Sequence, residues 1–178
     1  EEEMLDELKK EIMFREDQQH SKGLSQYRGA EPFEKLRLAT ERFIKEGNKK
    51  PGVYLLKIGN RAMRTARASF SSAFYGCAGY EIFDNLGFDN TKDAVADAMK
   101  SKAEIIVICS SDEDYVEYVP ELAKMIKTEN NNKTVVVAGY PKEHIDSFKQ
   151  AGVDDFVHVK SNLLDTITAY QKKLGVIK

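Results

Sequence analysis

Tryptophan is absent, and cysteine occurs only at Cys77 and Cys109. Two cysteines cannot build a disulfide framework, and nothing in the chain has zinc-ligand spacing. The pair falls on a predicted helix and a predicted strand, which suits buried thiols in a reducing compartment. Proline is scarce, at four residues, and glycine supplies eleven of 178, so collagenous and low-complexity classes are excluded. No apolar run approaches the roughly 18 residues of a membrane span. Neither sign of charge dominates: 27 Lys and Arg face 29 Asp and Glu, for a net charge of −2. That balance gives no reason to expect nucleic acid or an anionic membrane as partner. No signal peptide is visible and the reading is cytoplasmic, but Glu1 is not an initiator residue, so a missing leader carries little weight. What is present is 42% hydrophobic residues, enough for one ordinary core plus an extension.

The first fifty residues read as a helical extension. Met4, Leu5, Leu8 and Ile12 recur at helical spacing in a charged segment, which predicts an amphipathic helix over residues 1–19. Residues 20–29 read as linker. Pro32 suits the first turn of a second helix, with Phe33, Leu36, Thr40, Phe43 and Ile44 inward and Gly47-Asn48 ending it.

From residue 51 onward strand and helix alternate. Strands are expected at 53–58, 80–83, 104–109, 133–138 and 156–159. Helices are expected at 61–76, 92–100 (capped by Thr91), 113–128, 142–150 and from Leu163. The inner face of the helix at 61–76 is assigned to Met63, Ala66, Phe70, Ala73, Phe74 and Cys77, and Pro120 is expected to kink or restart its helix. The run Ile-Ile-Val-Ile at 105–108 is apolar on both faces, as a covered parallel strand requires. The fold class is therefore α/β: a flavodoxin-like, doubly wound, five-stranded parallel sheet of order 2-1-3-4-5, with an N-terminal helical extension. The division is 1–50 for the extension and 51–178 for the domain.

Ligands of such sheets sit beyond the carboxyl ends of the strands. After the first strand stands Gly59-Asn60-Arg61-Ala62-Met63. It lacks the hydroxyls of a flavin-phosphate loop, the acids of a phosphorylatable receiver, and the Gly-x-Gly-x-x-Gly of a dinucleotide site. A nucleophile elbow is missing. His20, His144 and His158 have no local partner constellation and read as solvated or structural. No metal site and no catalytic set is expected.

The pattern that fits in outline is carried by three features. Ser110-Ser111 follow the third strand, Ala138-Gly139 follow the fourth, and Gln150-Ala-Gly-Val-Asp154 leads into the fifth. With these the chain from Val53 onward resembles the cobalamin-binding domains of the methylmalonyl-CoA mutase family. Those domains carry Asp-x-His-x-x-Gly after the first strand, and the His ligates cobalt. Here the register puts Ala62 at the Asp, Arg64 at the His and Arg67 at the Gly. A guanidinium stays protonated and cannot ligate metal. Ser110, Ser111 and Gly139 look like retained parts of the family's site, and the loop at 158–161 lacks its glycines.

The wording of residues 67–79 and 34–42 resembles the small, non-catalytic chain of the family's heterodimers. That resemblance, over residues 27–177, implies several things. The chain would be a C-terminal piece of a longer subunit, without the barrel domain. It would bind no cofactor itself, adenosylcobalamin being held by a large catalytic mutase subunit that is its partner. Its role would be structural, within an enzyme that interconverts methylmalonyl-CoA and succinyl-CoA. Self-association through the N-terminal helices is a further expectation for a piece lacking its barrel.

Arg61, Arg64 and Arg67 share one helix face. Three readings stay open for them: pairing with carboxylates such as Asp84 or Asp112 to Asp114 together with solvation, contact with a partner surface, or an anion at the helix N-terminus. The alternative function is accordingly a stand-alone anion or small-molecule binding module.

Overall fold

The structure is a computed structural model and describes residues 29–178. The helix expected at 1–19 lies outside the described residues. The compact unit is Pro32–Lys178. Its elements in chain order are α1 (Glu31–Lys45), β1 (Gly52–Lys57), α2 (Arg61–Gly76), β2 (Glu81–Phe83), α3 (Thr91–Lys100), β3 (Ile105–Cys109), α4 (Asp112–Glu129), β4 (Thr134–Ala138), a 3-10 turn (Lys142–His144), α5 (Ile145–Ala151), β5 (Asp155–Val157) and α6 (Leu163–Lys173). The five strands are parallel, in the order β2-β1-β3-β4-β5. This is the doubly wound arrangement expected.

Strands β1, β3 and β4 are buried at every position, so alternation sorts their side chains between two cores. Tyr54, Leu56, Ile106, Ile108, Val135 and Val137 face α3, α4 and α5. Val53, Leu55, Ile105, Val107, Cys109 and Val136 face α1, α2 and α6. Both faces of the sheet are thereby covered, the condition under which parallel strands are stable.

Local chemistry sets most element ends. Asn60 Oδ1 accepts from Ala62 N and Met63 N at the start of α2, each at 3.1 Å. Ser111 Oγ accepts from Asp114 N at the start of α4, and Asn162 Oδ1 from Asp165 N at the start of α6. Gly152, at φ 113°, closes α5 as the run 150–154 implied.

Two details differ from the sequence reading, the cap of α3 and part of the inner face of α2, and two more go beyond it. The cap of α3 is Asn90, whose Oδ1 takes Asp93 N at 2.9 Å. Thr91 is already helical and donates to Glu121 on α4. Pro120 neither ends nor restarts α4; its missing bond falls on the Val116 carbonyl, on the exposed side of the helix. The inner face of α2 is Ala68, Ser71, Phe74 and Tyr75, while Met63, Ala66 and Ala73 face outward. Small residues at 68 and 71 bring the helix close to the sheet. Finally, α1 packs on the domain: Leu36 and Thr40 are buried, and the Gln171 amide of α6 donates to Leu36 O at 2.7 Å and Thr40 Oγ1 at 3.1 Å. Among the described residues no helix is long and apolar enough to cross a membrane.

Candidate functional site

The crossover after β1 leaves toward one face of the sheet and that after β3 toward the other, so the ligand crevice of this topology opens between their carboxyl ends. Two tight turns line it. At the end of β1, Gly59 has φ 71°, and a Cβ there would stand 2.4 Å from Asp114 Oδ2 and 2.6 Å from Ser110 Oγ. Only glycine lets the β1 turn sit this close to the start of α4. Asn60 N then donates to Asp114 Oδ2 at 2.7 Å. That bond, helped by Ser110 and Ser111, holds the Asp114 carboxyl below the usual carboxylate range.

The serine pair is spent on the same joint. Ser110 Oγ lies 2.7 Å from Ile58 O and 3.1 Å from Asp114 Oδ2, and Ser111 caps α4. Ser110 N donates to Tyr115 OH, which donates onward to Ala138 O at 2.7 Å. Strands β1, β3 and β4 are thus bonded together at the edge where a ligand would have to part them.

The arginines of α2 separate in space. Arg61 is exposed. Arg64 reaches the loops after β1 and β2, donating to Gly59 O at 3.2 Å, Phe88 O at 3.4 Å and Leu86 O at 3.3 Å. Gly87, at φ 103°, makes room: a Cβ there would meet the guanidinium carbon at 2.5 Å. Asn85 completes that loop by donating to Leu55 O and accepting from Gly87 N. Arg67 pairs with Asp112 at 2.9 Å, and its Nη1 fills the space beside Gly139, where a Cβ would come within 2.9 Å. Asp84, one of the carboxylates considered for the arginines, instead holds the buried Lys57 at 2.8 Å.

Of the residues singled out from sequence, Arg64, Arg67, Ser110, Ser111 and Gly139 converge on one edge, while Ala62 and Arg61 stand outside on the first turn of α2. Lys57, Asn85 and Gly87 were missed, and Asp114 was considered only as a partner for the arginines, whereas it takes Asn60 N. A lysine closing an apolar strand was the one available signal; the others act through loop geometry that no motif records.

The chemistry open to this edge is limited. Burial pushes the Cys109 thiol up to about 12, against the opposing pull of Ser71 and Lys57, so it stays protonated and unreactive. His158 rests against Tyr140, ring centres 4.8 Å apart, and His144 against Phe148 at 5.7 Å. Among the described residues no cluster of three His, Cys, Asp or Glu side chains could hold a metal ion.

No family model matches the chain. Individual relatives do. It is 46% identical over 149 residues to the methylmalonyl-CoA mutase small subunit of Porphyromonas gingivalis, covering 84% of this chain and 23% of that one. It is 30% identical over 159 residues to the small subunit of Propionibacterium freudenreichii subsp. shermanii (88% and 24% covered), and 28% identical over 142 residues to that of Streptomyces virginiae (79% and 23%). The chain therefore spans about a quarter of the length of these relatives. Among solved structures, a cobalamin-binding protein from Desulfitobacterium hafniense superposes with a TM-score of 0.52 at 22% identity, covering 83% of this chain and 71% of that one. A response regulator from Clostridium difficile reaches 0.50 at 17% identity, covering 71% and 97%. At these identities the likeness shows a shared fold alone.

Proposed function

The chain is a homologue of part of the methylmalonyl-CoA mutase small subunit, and from that premise we propose that it is a degenerate cobalamin-type domain with a structural, non-catalytic role. Its partner would be a large mutase subunit, which would carry adenosylcobalamin and perform the isomerisation of methylmalonyl-CoA and succinyl-CoA. The observation that carries this reading is Arg64. It stands where the family resemblance calls for the cobalt-ligating His, and its guanidinium is committed to three backbone carbonyls. A permanently protonated side chain offers no lone pair to cobalt. Ala62 cannot orient a ligand. Arg67 and the Tyr115 bridge fill the space beside Gly139. The residues present do not fit the cofactor, and no chemical step on this chain is routed through it.

Titration with hydroxocobalamin, followed by the visible spectrum and by retention on a desalting column, tests the loss. Neither shift nor retention is expected. Stoichiometric binding with an altered cobalt spectrum would overturn it and direct attention to His144 and His158. The structural role is tested by co-purification with a large mutase subunit: a chain that fails to associate has no part in such an assembly.

A further inference from the structure

Among the described residues only Lys57 carries a charge into the interior. Its side chain is 11% exposed, whereas that of its partner Asp84, 2.8 Å away, is 59% exposed. A buried ammonium must be compensated, and here the compensation comes from a surface loop. Lys57 follows Val53 and Leu55 in the strand alternation and so faces α2. There it lines a groove of about 350 Å³ between β1, α2 and the loop after β2, a size within the usual range of small-molecule sites. The α2 wall presents Thr65, Ser69 and Ser72, which share one helix face, and the apolar lining is Leu55, Ala68 and Ala73. Thr65 donates to Arg61 O at 2.8 Å. The Ser69 and Ser72 hydroxyls have no protein partner among the described residues. An ammonium has three donors, and among the described residues Asp84 is the one partner of this one. Donors therefore outnumber acceptors in the groove, which selects for an anion.

We propose that this groove binds a short-chain carboxylate, and that Asp84 is its intramolecular stand-in. The carboxyl of Asp84 shows which group the Lys57 ammonium accepts. Lys57 is held in the ladder opposite Cys109, so it cannot follow Asp84 outward. Whatever displaces Asp84 must itself be anionic, or the ammonium is stranded. Ser69 and Ser72 line the same groove and offer further donors to such a ligand, while Leu55, Ala68 and Ala73 suit a chain of a few carbons. The exchange needs only the Asp84 side chain to turn away. The loop behind it stays pinned, by Asn85 on Leu55 O and by Arg64 on Leu86 O and Phe88 O. Ligand and Asp84 compete, so the affinity of the parent is reduced by the fraction of molecules in which Asp84 holds the ammonium. The inference stands apart from the homology and from the loss of cobalamin.

The full chain is titrated with sodium butyrate, sodium acetate and inorganic phosphate at constant ionic strength, and backbone amide NMR shifts are followed. Saturable shifts at Leu55, Lys57, Ser69, Ser72 and Asp84 are expected with butyrate, and weaker binding with acetate. Asp84→Ala removes the competitor and should tighten butyrate about tenfold or more. Butyrate should also raise the unfolding midpoint of Asp84→Ala by more than that of the parent. Lys57→Met should abolish binding. Should that variant not fold, Ser72→Leu serves instead: it fills the half-buried mouth of the groove, keeps the Lys57–Asp84 pair, and should abolish binding with an unfolding midpoint near the parent's. Equal butyrate affinity in the parent and Asp84→Ala overturns the proposal, as does binding that survives Lys57→Met or Ser72→Leu. Shifts confined to another surface overturn it too. Binding of phosphate but of neither carboxylate overturns the ligand class. If Asp84→Ala takes none of the three probes, Lys57 and Asp84 are an ion pair of the fold and the site does not exist.

Discussion

Arg64 is a cation in the first turns of a helix, where the dipole disfavours it, yet its environment explains it. Three carbonyls from two loops converge on one guanidinium, which presents donors in a fixed fork. Arg64→Ala strips those bonds and is expected to lower stability by about 1–3 kcal/mol in urea titrations. Gly87→Ala should cost a similar amount, since φ 103° and the guanidinium 2.5 Å away both reject a Cβ. If either variant unfolds at the parental midpoint, Arg64 is not the keystone of this edge. Asp114 gives a pH signature. Its folded-state carboxyl is depressed, chiefly by the Asn60 N–H. Its contribution is therefore complete above the unfolded carboxylate value, near 4, and disappears as pH falls through the lower folded value. The stability gap between the parent and Asp114→Asn should be widest near neutral pH and narrow below about pH 4. A gap independent of pH would refute the coupling.

At the level of elements, most of the fold was legible because its signals are local. Continuous apolar runs marked β1, β3 and β4, and Asn or Ser before an acid-rich turn marked helix starts. The face of α2 was legible only in part: Phe70 and Phe74 pack inward as expected. Helical periodicity favoured its larger apolar residues, but Met63 lies outward while Ala68 and Ser71 lie inward, because close packing on the sheet selects small side chains there. Arg64 and Arg67 lie toward that same inner side, so in the first half of the helix hydropathy pointed the wrong way. The crevice was likewise half legible: the serine pair after β3 and Gly139 after β4 stand out in the sequence and meet at the edge, whereas the loop that Arg64 grips is specified only by Asn85 and Gly87 in three dimensions. For α4, Ser111→Ala should cost about 1 kcal/mol through loss of the cap. Pro120→Ala should be neutral to stabilising, since it restores a bond donor inside a continuous helix. Thermal unfolding of the two variants checks both signs.

Across the whole molecule, the sheet order was readable from the alternation of elements, but the place of α1 was not, because a short amphipathic helix does not say what it covers. Its connection is a polar one: Gln171 is fully buried, its amide nitrogen taken by Leu36 and Thr40 and its Oε1 left without a partner. Removing residues 1–50 strands that amide and uncovers the Leu36 site, for an expected loss of about 2–5 kcal/mol relative to the full chain. Equal denaturation midpoints for the two lengths would mean that α1 is only laid against the domain. The Gln171 clasp also has a mechanical meaning. It joins the first and last helices of the compact unit, so tension applied between its two ends reaches the clasp before it reaches any strand. Pulled apart, the domain should yield first by peeling α1 away at low force, with the five strands bearing load only afterwards.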